Sequence, residues 1–106
     1  MAAWLRRWGF RVHWDANLRE LDFGSWDGRR WSEIPQAEVD AWVADFAAYR
    51  PGGGESLNDL FARLQRPPCA LVITHGGVIN ALRLGRAPSA AAWPPAPGYG
   101  RCIGIP

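Results

Sequence analysis

Residues 69–83, CALVITHGGVINALR, constrain this chain more than any other stretch. Ala70, Leu71, Val72 and Ile73 form a short, uncharged, β-branched run that reads as a buried strand. Val78, Ile79 and Leu82 then recur at helical spacing, so a helix follows and stops near Gly85. Thr74, His75, Gly76 and Gly77 fall on the turn between them. A strand running straight into a helix points to an α/β chain, in which ligands gather at the carboxyl ends of strands. A helix start presents unpaired N–H groups and the positive end of a dipole, and suits an anion. Glycines at 76 and 77 let that backbone come close to a ligand. An imidazole there can hold a phosphate, move a proton or attack phosphorus. The same residues also fit a histidine that only closes the strand or caps the helix.

The rest of the chain reads as one small domain. Trp4, Leu5 and Trp8 fit a short helix stopped by Gly9. Phe10 to Trp14 alternates like an outer strand, with His13 on its solvent side. Residues 18–28, LRELDFGSWDG, keep neither period and form an irregular loop anchored by Leu18, Leu21, Phe23 and Trp26. Residues 35–48 are the clearest helix, with Pro35 in the first turn and a stripe of Val39, Trp42, Val43 and Phe46. A second helix runs from about Glu55 to Leu64, opened by a capping-box-like Ser56 and Asp59 and broken by Pro67-Pro68. Residues 87–100 are mostly loop, and Arg101 to Ile105 offer a last short strand.

Composition removes several function classes. Twelve arginines and no lysine are scattered among ten acids, which is a poor footprint for nucleic acid. No apolar run is long enough to span a membrane, and the N-terminus lacks a signal-peptide core. Cys69 and Cys102 have no metal spacing with each other or with His13 and His75, and read as reduced, packed thiols of a cytoplasmic protein. Seven tryptophans are a large apolar load that the fold or a partner must cover.

Glu20 is the second candidate. It lies in the aromatic loop beside Leu18, Leu21 and Phe23. Partial desolvation favours the protonated form of a carboxyl and suits a general acid. An ordinary solvated carboxylate fits the same position.

Three stretches, LRELDFGSWDG, PGGGESL and LVITHGGVINAL, occur in that order. Together they resemble the histidine phosphatase superfamily, with its phosphoglycerate mutase-like fold, over about residues 3–105. The form of the first motif is similar to the small phosphatase branch that includes α-ribazole phosphatases. The resemblance implies phosphomonoester hydrolysis through a phosphohistidine, with no metal and no cofactor. His75 is then the histidine that contacts the transferring phosphoryl group, together with the Gly76 turn, and Glu20 protonates the leaving oxygen. A group in transit spreads charge over its oxygens, so fixed donors lower the barrier.

One departure stands against this. The chain contains no R-H-G, the motif that carries the family's nucleophilic histidine, and no arginine clamp can be placed around His75. Residues 1–106 are therefore expected to be the C-terminal portion of a histidine phosphatase domain. The fold expected is an N-terminally truncated three-layer α/β/α architecture. The chain should bind a phosphorylated small molecule and show no more than trace catalysis. It should be marginal alone, associated into a homo-oligomer, or dependent on the missing N-terminal segment. Two further readings stay open: a non-catalytic remnant that holds a phosphorylated ligand, and a tryptophan-rich protein-interaction surface.

Overall fold

The computed structural model describes residues 2–64 and 71–104. Among the described residues there are four α-helices: α1 (Ala2–Arg7), α2 (Gln36–Ala44), α3 (Leu57–Arg63) and α4 (Gly76–Leu84). Short 3₁₀ turns punctuate the connecting segments, among them Gly24–Trp26, Trp31–Glu33 and Pro51–Gly53.

Local sequence explains each helix. α1 ends where Gly9 turns at φ +86°. α2 starts directly after Pro35 but ends at Ala44, four residues short of the predicted end, with Asp45 as its C-cap. There the backbone leaves helical geometry (φ −134°, ψ 56°) and continues as turns. α3 carries the expected capping box: Asp59 N donates to Ser56 Oγ, and Ser56 N donates to Asp59 Oδ2, both at 3.1 Å. α4 closes on Gly85 in the left-handed conformation, as its position predicts.

Leu21, Leu57, Leu60, Val78 and Ala81 form the buried core, so it lies between the acid loop, α3 and α4. Aromatic rings extend it. Trp42 on α2 stacks on Trp31 (centroids 6.1 Å apart, planes 4° apart) and meets Phe23, Trp26 and Phe46 at tilted or edge-on angles. Val43, expected in the α2 stripe, is instead exposed.

The predicted α/β architecture is overturned: among the described residues there are helices and turns, and no strand. Phe10–Trp14, Leu71–Ile73 and Arg101–Gly104 all lack regular structure. Alternation and β-branching favour an extended backbone, but a strand exists only where a neighbour receives its N–H and C=O groups. Among the described residues, no ladder of backbone hydrogen bonds pairs any of these three with another segment. Leu71 and Ile73 are consequently about 60% exposed rather than buried. Ala70, Cys69, Pro67, Pro68 and Ile105, which also carried predictions, lie outside the described residues. Cys102 is a free thiol but exposed, not packed.

The N-terminal segment stays outside the core. Trp4, Trp8, Phe10 and Trp14 are all at least 60% exposed, and Trp31 is exposed as well. The radius of gyration, 15.4 Å, exceeds the roughly 13 Å of a compact chain of this length.

Candidate functional site

His75 is the N-cap residue of α4, with extended backbone (φ −102°, ψ 159°). Its carbonyl accepts from the Ile79 amide at 2.9 Å, but its imidazole makes no capping bond and faces solvent. That removes the reading of His75 as a side-chain helix cap. At the helix start one backbone donor is left over. Among the described residues, no acceptor reaches the Gly76 amide.

The acid loop is fastened to this turn at two points. Thr74 Oγ1 donates to the Leu18 carbonyl at 2.6 Å. The Gly77 amide donates to Glu20 Oε2 at 3.2 Å, while Glu20 Oε1 accepts from the Leu21 amide at 2.9 Å. Glu20 is half-buried, between half-buried Leu18 and Phe23 and beside buried Leu21. The fold thus brings together Glu20 and the His75 turn, the two candidates that the sequence separates by more than fifty residues.

The glycines serve the protein as much as a ligand. A Cβ on Gly77 would lie 2.5 Å from Glu20 Oε1, and one on Gly76 would lie 3.0 Å from Ala96 Cβ. Their smallness admits the acid loop and the 94–97 segment to the helix start. The sequence reading assigned that space to a ligand alone.

Two important residues were not singled out from sequence. The Arg63 guanidinium, 11% exposed, grips Glu55 through two bonds: Nε to Oε2 at 2.7 Å and Nη2 to Oε1 at 3.0 Å. Its remaining donors reach the carbonyls of Asn17, Arg19 and Glu20. Glu55 also accepts from the Asp22 amide at 3.2 Å. The hydrogen bond from Arg63 holds the Glu55 carboxyl below its ordinary range, against the opposing effect of burial. The available signal was the PGGGESL motif, but an eight-residue separation matches no side-chain pairing rule for one helix.

The other candidates stand apart. His13 is exposed, as its alternating stretch predicts. Arg19 bonds the Ala16 carbonyl and comes within 4.0 Å of Glu55, and Arg83 lines a cleft with residues 94–98 and Arg101. Among the described residues, no group of three His, Cys, Asp or Glu side chains is placed to hold a metal ion. No helix there is long and apolar enough to cross a membrane.

A family model of the histidine phosphatase superfamily (branch 1) matches residues 1–93. The chain belongs to the histidine phosphatase superfamily. Among its relatives is a metal-independent phosphoserine phosphatase of Arabidopsis thaliana, 34% identical over 90 residues, a match spanning 70% of this chain and 38% of that protein. The phosphoglycerate mutase-like protein 4 of the same plant is 37% identical over 91 residues, spanning 72% and 39%. A bifunctional protein of Mycobacterium tuberculosis is 30% identical over 66 residues, 59% of this chain and 18% of that protein. The chain therefore spans about two fifths of the length of the two plant relatives. No solved structure matches it.

Proposed function

We propose that this histidine phosphatase chain carries the phosphoryl-contacting and proton-donating parts of a phosphomonoester site. His75 and the Gly76 amide contact the phosphoryl group, and Glu20 delivers a proton to the leaving oxygen. The observation that carries this reading is the Glu20–Gly77 hydrogen bond, which seats a carboxyl at the helix start beside the histidine. A phosphoryl group at that start meets backbone donors and an imidazole, while an acid waits within reach of its ester oxygen.

The chain supplies these parts without an R-H-G histidine. It accordingly holds phosphate esters and turns them over no faster than a trace rate by itself. The aromatic LRELDFGSWDG form of the acid loop supports small phosphorylated metabolites of a cytoplasmic protein as ligands, with α-ribazole phosphatase-like specificity as one member of that class.

Thermal unfolding tests the site. A ligand that binds only the folded state stabilises it by mass action, by about 2.7 kcal/mol at a hundredfold excess over Kd. Inorganic phosphate and vanadate should raise the melting temperature of the wild-type chain, and His75→Ala should abolish the rise. An equal rise in both proteins would place the anion elsewhere.

The exposed Trp4, Trp8, Phe10 and Trp14 favour a second reading, a protein-interaction surface, including self-association. It requires a mass that grows with concentration and a melting temperature indifferent to phosphate.

A further inference from the structure

Glu20 lies in a segment that belongs to no helix, so helical hydrogen bonds do not fix its backbone. The carbonyls of such a loop need hydrogen-bond donors from elsewhere, and one side chain provides them. Arg63 donates to the carbonyls of Asn17, Arg19 (2.8 Å) and Glu20 (3.2 Å). Glu55 holds the guanidinium in plane through both oxygens and also takes the Asp22 amide. The Glu55 amide in turn donates to the Asp22 carbonyl at 2.7 Å. The residues flanking Glu20 are thus tied on both sides. Its carboxyl is left to the amides of Leu21 and Gly77.

We propose that Arg63, oriented by Glu55, is the positioning residue of this site: its fork fixes the acid loop so that the Glu20 carboxyl meets the His75 turn. The proposal rests on the reading of Glu20 as the proton donor. Arg63 does not touch the place assigned to the substrate and acts only through the loop. The role demands an arginine. Its planar donors address several acceptors in fixed directions, whereas an ammonium is a point charge that cannot span three carbonyls and a carboxylate together.

Solution NMR on the full chain tests this. The Gly77 amide signal should move as the solution is made acid, and Glu20→Gln should remove that movement. In Arg63→Lys the charge persists and the fork is lost. The pH response of Gly77 should then fall to less than half, while the Val78 and Leu60 methyl signals stay at their wild-type positions. Glu55→Gln should weaken the response in the same sense. An unchanged Gly77 response in Arg63→Lys overturns the proposal, as does a wild-type Gly77 signal that ignores pH. Collapse of the core methyl signals in both variants makes the pair a requirement of folding rather than of placement, and overturns it too. Adding inorganic phosphate to the wild-type protein tests the phosphate-site reading separately, through the signals of His75 to Val78.

Discussion

Glu20 Oε2 accepts the amide hydrogen of Gly77 at 3.2 Å, across 57 positions of sequence. The contact closes because Gly77 has no side chain. It also takes up one of the donors that a bare helix start would offer an anion. The helix start is therefore already partly occupied by its own acid, and under the proposed function a phosphoryl group would share it.

Gly77→Ala should separate the site from the fold. The added Cβ meets Glu20 Oε1 at 2.5 Å, but that atom ends a flexible side chain and can swing aside. Alanine is also the better helix former by about 1 kcal/mol. Unfolding in urea should shift by less than about 1 kcal/mol, while the amide at 77 loses its protection from hydrogen exchange. A much larger loss of stability would mean that Glu20 is unable to move.

Gly52→Ala should behave in the opposite way. Gly52 sits at φ +63°, and a Cβ there would lie 2.1 Å from the Phe23 carbonyl oxygen, which is backbone and cannot step away. A loss of about 3 kcal/mol or more is expected. Gly28→Ala provides the comparison. Its φ is +78° with nothing within 4 Å of the added Cβ, so only the left-handed penalty of about 1–2 kcal/mol should appear. Equal losses in the two variants would contradict the close approach of the loops.

Glu55 should make stability depend on acid pH. Its carboxyl is ionised and bonded to Arg63 in the folded state, which lowers its pKa from an ordinary value of 4.5. A depressed folded pKa means that the unfolded chain takes up the proton first. The contribution is then complete above pH 4.5 and disappears as the pH falls through the lowered folded value. The gap in unfolding free energy between wild type and Glu55→Gln should shrink across that window. The comparison removes the parallel effect of Asp59, whose carboxyl is also held low, chiefly by the Ser56 amide. A gap that stays constant with pH would deny the ion pair.

Helices α3 and α4 were readable from sequence because their signals are local: a capping box at Ser56 and Asp59, apolar spacing from Val78 to Leu82, and a glycine stop at 85. The pairing of the Glu20 loop with the His75 turn came through the resemblance, since neither residue carries a local sign of the other. The strand prediction missed over its described part, residues 71–73, because composition describes a segment's preference and not its neighbour. Arg63 was hidden for a related reason. Its acceptors are three backbone carbonyls and one carboxylate brought near by folding, and carbonyls leave no trace in the letters of a sequence.

The loops at 22–26 and 51–54 meet backbone to backbone, with Ser25 Oγ on the Gly52 carbonyl at 3.2 Å and virtual Cβ atoms of Gly24, Gly52 and Gly54 all under 2.5 Å from opposing main chain. In most packed contacts an enlarged residue can be relieved by shortening its partner. Here the opposing atoms are main chain, which no substitution can shorten. A genetic screen for second-site suppressors of damage at Gly24, Gly52 or Gly54 should return only true revertants from within this contact.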